Sequence, residues 1–248
     1  MSSKCTFSII IPVLHEAEII NTLLDSLRQL EKDEPFEIIV VDGSSIQDTL
    51  CVISDKNVLK YSCPQGRGRQ MNEGAAHATG DILVFLHADT FLPSTALSLM
   101  RTALENQPYV GGAFTLQIQS KMSFLRAIAA YSTLRSHIIR VPYGDQVIFL
   151  RKSYFDALGG YADIPLMEDV ELMLRIRKNK KKIIILPFSV MTSDRRWHQE
   201  GFIYTLLRDN IIIILYWFGM PAEKLARFYP WQKPQDETLG KNLSHTNR

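Results

Sequence analysis

The chain of 248 residues is 46% hydrophobic and 22% charged, the composition of a globular protein with enough apolar residues to build one large core. Its formal net charge of +2 is too small to support wrapping around nucleic acid, so no nucleic-acid partner is expected. The cysteines, Cys5, Cys51 and Cys63, are widely spaced without a CxxC pair, which argues against a disulfide framework or zinc site and predicts ordinary thiols in a reducing compartment.

The apolar segments are too short for export or for crossing a membrane. The run FSIIIPVL from Phe7 contains a proline and leads straight into His15 and Glu16, unlike a secretory signal. The longest run, IIIILYWFG from Ile211, has about half of the roughly 20 residues that a membrane-spanning helix needs. The sequence therefore predicts a cytoplasmic protein, although this run could lie on the inner face of the cell membrane.

The first half of the chain alternates strand-like and helix-like segments, which predicts an α/β fold with a largely parallel sheet. Apolar residues at helical spacing predict a helix over 19–30, and MNEGAAHAT from Met71 predicts another, with Gly80 as its C-cap. The predicted strands are TFSIIIPV from Thr6, FEIIVVD from Phe36, NVLKY from Asn57 and ILVF from Ile82.

The second half is less regular but continues the mixed pattern. It predicts strands in YVGGAFTLQIQ, QVIFLRK and IIILP, and helices in SFLRAIAAYSTLRSHII, in MEDVELMLRIRKNKKK and over the apolar segment 202–218. No Pro-rich or Ser-rich linker divides the chain. We therefore predict one domain over 1–231, which includes the helix 202–218, followed by a polar tail, 232–248.

Charged side chains follow several of the predicted strands. In open α/β sheets ligands bind beyond the carboxyl ends of the strands, which is where Asp42, the glycine loop 66–69, His87 and Asp89 stand. A carboxylate held there by a rigid strand suits a metal ligand or a hydrogen-bond acceptor. The alternative is that such an acid caps the next helix or closes a turn.

Four sequence blocks, in this order and spacing, resemble the family 2 nucleotide-sugar glycosyltransferases of GT-A fold. They are SIIIPVLHEAEII, EIIVVDGSSIQDT, GRGRQMNEGAAHATGDILVFLHADT and MEDVELMLRIRK. The resemblance runs from Thr6 to Ile185 and is strongest to a bacterial subgroup whose members largely lack an assigned substrate. It implies a GT-A-like, Rossmann-type mixed sheet flanked by helices, and transfer of a sugar from a nucleoside-diphosphate donor.

The resemblance also implies roles for residues in the first three blocks. Pro12, Glu16 and Asp42 would line the nucleoside pocket, and Arg67 and Arg69 would approach the diphosphate as guanidinium forks.

The segment His-Ala-Asp stands where the family usually has Asp-x-Asp. Asp89 would hold a Mg²⁺ or Mn²⁺ ion that bridges the phosphates. His87 departs from the pattern: it either favours Mn²⁺ or hydrogen-bonds the ribose or its phosphate, and we prefer the second interpretation.

The fourth block carries the implied catalytic base. Transfer needs a carboxylate to remove the acceptor proton, and the resemblance assigns this role to Asp169, with Glu168 beside it and inversion at the anomeric carbon. The alternative is that these acids only stabilise the positive end of a helix dipole.

The segment SDRRWHQEG and the apolar region after it are the remaining candidates. Arg196 and Trp197 could contact the diphosphate or the acceptor, and His198 could complete a metal shell or be an ordinary surface residue. Aromatic residues beside Lys and Arg near the chain end favour a lipid headgroup layer, and hence a peripheral membrane contact and a lipid-linked acceptor. A core helix or a homodimer helix is the competing interpretation.

Two other enzyme classes fit poorly. An oxidoreductase would need GxGxxG after the first strand, and a haloacid-type phosphatase needs an aspartate where His87 stands. The alternative is an inactive glycosyltransferase-like module that binds a nucleotide or a membrane, because the Asp-x-Asp pattern is incomplete.

Overall fold

A central sheet of eight strands organises the protein. The computed structural model describes residues 6–30, 34–105, 108–120, 122–195 and 200–229. The strands are, in chain order, β1 Phe7–Val13, β2 Phe36–Asp42, β3 Val58–Ser62, β4 Ile82–Phe85, β5 Thr90–Phe91, β6 Tyr109–Gln119, β7 Ile148–Arg151 and β8 Lys182–Ser193. Their spatial order is β3-β2-β1-β4-β7-β6-β8-β5.

The sheet is mixed and mostly parallel, as predicted. Strands β3, β2, β1 and β4 run parallel, and so do β6 and β8, whereas β7 and β5 are antiparallel to their neighbours. Strand β1 is apolar throughout because both faces of the sheet are covered: Ile9 and Ile11 enter one core cluster and Ile10 enters the other.

Helices cover both faces of the sheet. They are α1 Ile20–Arg28, α2 Asp48–Val52, α3 Arg67–His77, α4 Ala96–Glu105, α5 Ser123–Ile139, α6 Lys152–Leu158, α7 Glu168–Lys178, α8 Phe202–Trp217 and α9 Ala222–Ala226. Buried side chains of α1, α4 and α5 pack in the first cluster, and those of α3, α6 and α7 pack in the second. The predicted α/β fold is therefore confirmed.

Two local predictions were wrong. Helix α3 begins at Arg67, so both arginines lie in its first turn and not in a loop, and it ends at His77 with Ala78 as its C-cap. Gly80 does not cap it. The glycine instead permits a close crossing over β1, because a Cβ at this position would lie 2.7 Å from the carbonyl carbon of Phe7.

Strand β8 is longer than the predicted strand, which ended at Pro187. A register shift against β6, between Phe114 and Thr115, accommodates this proline, which has no N–H for the ladder. The strand then continues to Ser193 and reaches the same edge of the sheet as the carboxyl end of β4.

The apolar segment near the chain end forms α8, with Phe218 as its C-cap, in agreement with the predicted helix. Its buried Arg208 anchors it through Glu200 at 2.6 Å and through the ring of Tyr229, whose centroid lies 4.4 Å away. Within the described ranges, no helix combines the length and the apolar character that crossing a membrane would need. Cys51 and Cys63 are free thiols, whereas Cys5 and the predicted tail, 232–248, lie outside the described residues.

Candidate active site

The carboxyl ends of β1 and β2 are tied to the start of α3 by one buried amide. Gln70 donates from Nε2 to the carbonyl oxygens of Val13, at 2.7 Å, and Val41, at 2.9 Å. No sequence pattern predicts a role for this glutamine, because its partners are distant in the chain. Its two hydrogen bonds hold the first turn of α3 against the strand ends and so define one side of the site.

Asp42 ends β2 as a fully buried carboxylate. Its Oδ1 accepts a hydrogen bond from the Ser44 N–H at 2.8 Å, whereas Oδ2 is buried without a hydrogen bond of ordinary geometry. Burial raises the pKa of Asp42, although the N–H groups of Ser44 and Leu50 favour the charged form. A buried acceptor left incomplete in this way is costly, and a ligand N–H or O–H could satisfy it.

Glu16, in the loop after β1, pairs with an arginine from the far end of the chain. Arg195 Nη2 lies 3.0 Å from Oε1 and 2.8 Å from Oε2 of Glu16. Burial raises the pKa of Glu16, and the Arg195 charge partly opposes that rise. The ion pair joins the loop after β1 to the end of β8 across the mouth of the site.

His87 and Asp89 lie in a tight turn between β4 and β5. The Thr90 N–H donates to the His87 carbonyl at 3.1 Å, and the Ser193 N–H donates to the Asp89 carbonyl at 3.2 Å. Strand β8 therefore holds the turn in place. Among the described residues, the half-buried Asp89 carboxylate accepts one long hydrogen bond, 3.4 Å, from Thr90 Oγ1.

The donor atoms around Asp89 decide what kind of metal ion could be held. Among the residues that the structure describes, no three His, Cys, Asp or Glu side chains converge as a ligand set. Mg²⁺ and Mn²⁺ are hard ions that can be bound by one or two carboxylates together with substrate phosphates and water. Asp89 as a single protein oxygen ligand fits an ion that enters with a diphosphate, and it does not fit a structural metal site.

Asp169, in the first turn of α7, is held by backbone N–H groups. The Gly144 N–H donates to Oδ2 at 2.6 Å, and the Val170 N–H donates to Oδ1 at 2.7 Å. Gly144 begins a 3₁₀ turn, Gly144–Gln146, that lies against His87 in the turn after β4. A Cβ on Gly144 would lie 2.9 Å from His87 Nε2 and 3.5 Å from Asp169 Oδ2.

Glu168 is buried next to Asp169, with its Oε1 3.5 Å from Arg67 Nη1. Burial raises the pKa of Glu168 to about 7, the Arg67 charge opposes the rise, and the Asp169 carboxylate adds to it. The side chain of Arg67 as a whole is about half exposed, at 54%, and its charge also interacts with those of Asp169 and Asp89. Arg67 thus stands between the two acidic groups of the site.

A small cavity opens beside the acids. Its volume is about 120 Å³, comparable with the space that a single ring occupies in an apolar protein cavity, about 150 Å³. Carboxylates, two tyrosines and apolar side chains of α7 and α8 surround it. The lining comprises Arg67, Tyr143, Leu166, Met167, Glu168, Asp169, Val170, Asp209, Ile212, Ile213 and Tyr229.

The structure brings most of the predicted site residues to one edge of the sheet. Pro12, paired with Val41 in the ladder, lies near the carboxyl end of β1, beside the other strand-end residues. Arg69 is the exception, because its Nε lies 2.6 Å from Asp163 Oδ1 in an exposed ion pair. Arg196, Trp197 and His198 lie outside the described residues.

Three contributors to the site were missed or left without a role. Gly144 and Gln70 had no recognisable spacing signal, and Arg195 was noticed only as a neighbour of the predicted Arg196. Each of these three residues contacts a residue that is distant in the sequence, and local patterns do not predict such contacts.

The fold and the site together define an α/β protein with an acidic ligand site beyond the carboxyl ends of its parallel strands. The sequence matches the model of "Glycosyl transferase family 2" over residues 8–161, which is more than half of the chain. The chain belongs to that glycosyltransferase family, as its resemblance implied.

Two curated glycosyltransferases are about 30% identical to parts of the chain. A PGL/p-HBAD biosynthesis glycosyltransferase of Mycobacterium bovis is 32% identical over 181 residues, 62% of this chain and 62% of the relative. The chain thus spans about three fifths of the length of this curated relative. A Campylobacter jejuni GalNAc(5)-diNAcBac-PP-undecaprenol beta-1,3-glucosyltransferase is 30% identical over 47% of this chain and 40% of its own length.

Among solved structures, the fold is similar to glucosyl-3-phosphoglycerate synthase from Mycobacterium tuberculosis, which was solved in complex with Mn²⁺, UDP and phosphoglyceric acid. The TM-score is 0.60 at 17% identity, and the match covers 88% of this chain and 80% of the other. This likeness shows the GT-A fold.

Proposed function

We propose that this protein transfers a sugar from a nucleoside-diphosphate sugar to an acceptor hydroxyl, in a metal-dependent reaction that inverts the anomeric centre. The observation that carries the proposal is the hydrogen bond of 2.6 Å from the Gly144 N–H to Asp169. It orients a carboxylate next to the His-Ala-Asp turn, where the reacting groups of the donor would lie. Family membership and the acidic strand ends support the same reaction.

The donor would lie across the ends of β1, β2 and β4. Asp42 offers its incompletely bonded Oδ2 to an N–H of the base, with Pro12 and Glu16 nearby. Arg67 is the better placed of the two predicted arginines for the diphosphate, because Arg69 is engaged by Asp163. His87 would hydrogen-bond the ribose or its phosphate.

Asp89 would hold the divalent ion, Mn²⁺ or Mg²⁺. When bound, such an ion neutralises the negative charge that develops on the departing nucleoside diphosphate. The similar fold that was solved with Mn²⁺ and UDP supports this assignment. The role of His198 as a further metal ligand stays a prediction.

Asp169 would act as the general base. As the acceptor hydroxyl attacks the anomeric carbon, its proton passes to the Asp169 carboxylate, and the bond from that carbon to the diphosphate oxygen breaks. A single displacement of this kind inverts the configuration. Glu168 would support the site through its contact with Arg67 and would not accept the proton itself, because its oxygen faces the guanidinium.

The acceptor would present its hydroxyl in the cavity of about 120 Å³ beside Asp169. A lipid-linked acceptor is the class that the name of the undecaprenol-dependent relative favours. On this proposal the protein works in the cytoplasm at the inner face of the membrane, through a peripheral contact. The domain limits and a homodimer stay predictions.

Calorimetric titration with UDP, GDP and dTDP, each with Mn²⁺ or with EDTA, tests the proposal directly. We expect one nucleotide to bind with a Kd in the micromolar range and to lose at least tenfold in affinity without the ion, since charge on the diphosphate is then less well neutralised. Binding of that nucleotide without transfer from any of its sugar conjugates would favour the inactive module instead. No binding by folded protein would reject both.

Gly144→Ala is expected to lower kcat by about tenfold to a hundredfold while the protein stays folded, because misplacing a catalytic group by about 1 Å costs that much. The backbone at Gly144 is not left-handed, so alanine is tolerated locally, but its Cβ would press on His87 Nε2 at 2.9 Å. The measurement is single-turnover transfer with the donor that calorimetry identifies. A variant with normal Tm and normal kcat would show that this turn does not position Asp169.

A further inference from the structure

Helix α5 exposes an unusual apolar stripe. Its apolar residues recur every three or four positions along one side, whereas the opposite side, including Leu125 and Ala129, packs in the core. The larger members are 41%, 60%, 58% and 72% exposed, and in order these are Phe124, Tyr131, Leu134 and Ile138. Such a face is large enough to mark an interaction surface.

The charges on α5 itself have one sign. From Ser120 to Gly144 the sequence contains no Asp or Glu, while it contains Arg126, Arg135 and Arg140. Arg126 and Arg140 are exposed. An apolar stripe flanked by cations is the pattern of helices that lie in the interface of an anionic membrane.

A second cavity lies where the stripe ends. It has a volume of about 490 Å³ and is bounded by the last residues of α5 and α7 and the first residues of β6 and β8. Apolar side chains and four cations surround it, and none of the described residues that line it is acidic. The lining comprises Tyr109, Ile138, Ile139, Arg140, Met173, Ile176, Arg177, Lys181, Lys182 and Ile183.

The four cations of this cavity are available to a ligand. Within the ranges that the structure describes, Arg140, Arg177, Lys181 and Lys182 form no ion pair, unlike Arg175, two residues before Arg177, which is bound to Glu171 at 2.6 Å. Clustered like charges repel one another, so an anion that binds among them is stabilised. Phosphate is the anion that guanidinium and ammonium groups bind best, and the apolar floor suits a hydrocarbon chain.

This second cavity is separate from the candidate active site. Helix α7 begins at Glu168, in the site, and ends at Lys178, next to the cavity. Its 11 residues, at about 1.5 Å of rise each, separate the two by roughly 15 Å. No residue lines both cavities.

We propose that the α5 stripe and the basic cavity at its end form a docking surface for an anionic phospholipid membrane, with a lipid phosphate held among the four cations. Ile138 belongs to both the stripe and the cavity, which makes the surface continuous. A second copy of the chain fits less well, because pairing α5 with itself would bring like charges together without an acid to neutralise them. The proposal specifies the peripheral contact of the proposed function, but it does not depend on sugar transfer.

Helix α8, on which the sequence predicts the membrane contact, shares a core cluster with α5. Ile139 of α5 and Tyr216 of α8 both pack against that cluster. The outer side of α8 is also apolar and exposed, at Leu207, Ile211 and Ile214. The structure thus adds α5 and its basic cavity to the predicted membrane contact.

Vesicle flotation tests the docking surface. Full-length protein is mixed with vesicles of phosphatidylcholine alone or of phosphatidylcholine with phosphatidylglycerol. We expect binding to the anionic vesicles only. Lys181→Glu is expected to weaken binding to the anionic vesicles on the order of twentyfold. Each basic residue at such a surface raises the affinity about fivefold, and a charge reversal changes the net charge by two. Lys56→Glu is the matched control. It reverses the charge of an exposed lysine just before β3, the edge strand at the other end of the strand order, and should bind normally.

The apolar part is tested by Ile138→Ser, with Leu59→Ser, an exposed residue of the edge strand β3, as its control. Only Ile138→Ser should reduce flotation, by about tenfold. Absence of flotation, or flotation unaffected by both Lys181→Glu and Ile138→Ser, would overturn the proposal. So would a dimer by light scattering that Ile138→Ser makes monomeric. Nucleotide titration of the same preparations shows separately whether the proposed transfer site is intact.

Discussion

Asp169→Asn is expected to lower kcat for sugar transfer by about a hundredfold to ten-thousandfold, the usual contribution of a general base, while donor affinity stays within about twofold. Asparagine has nearly the same size as aspartate, and its side-chain oxygen can still accept the Gly144 N–H that now lies 2.6 Å from Oδ2. The 3₁₀ turn and His87 should therefore stay in place. What the variant lacks is a carboxylate to accept the acceptor proton.

The control for this change is Glu171→Gln, two residues further along α7. It also converts a carboxylate to an amide, but its partner is Arg175, at 2.6 Å, and it lines neither cavity. Its kcat should stay close to that of the unmodified protein. Rapid-quench measurement of a single turnover separates the chemical step from product release. Undiminished turnover in Asp169→Asn would place the base elsewhere.

Asp89→Ala is expected to remove most of the metal-dependent part of nucleotide binding. If Asp89 is the protein ligand of an ion that bridges the phosphates, its loss should weaken binding in Mn²⁺ by more than tenfold and leave the weak binding in EDTA unchanged. The fold should tolerate alanine, because the side chain is half-buried and its hydrogen bond from Thr90 Oγ1 is long, at 3.4 Å.

A carboxylate at the other end of the same strand provides the matched control for Asp89. Asp81 precedes β4 and accepts the Thr6 N–H at 3.0 Å, at the edge of the sheet opposite the site. Asp81→Ala should keep the full difference between Mn²⁺ and EDTA. Equal Mn²⁺-dependent affinity in Asp89→Ala and the unmodified protein would exclude Asp89 as the ligand.

Local sequence patterns were sufficient for most of the fold. Strands β1, β2 and β4 lie where apolar runs predicted them, and α5 and α8 lie where helical periodicity predicted them. The failures were also local: α3 starts earlier than predicted because Gly66 allows the entry turn, with φ of 149°, and Gly80 serves a close crossing and not a cap.

The order of the motifs placed the chain in its family, but roles near the site could not be assigned by spacing. Arg67 and Arg69 are two residues apart and were expected to act alike. Because successive helical positions differ by about 100° around the axis, Arg67 faces Glu168 while Arg69 faces Asp163. Only the packing of α3 against α7 distinguishes them.

Strand and helix types, the acidic strand ends and the family were all readable from the chain, because each depends on residues that are close in sequence. The contacts that assemble the site were not: Gly144 meets Asp169 across 25 residues, and Arg195 meets Glu16 across 179. The basic cavity was not readable from the sequence either, because it forms where the ends of α5 and α7 meet the starts of β6 and β8. Such distances depend on strand order, register and helix packing, which periodicity and composition do not encode.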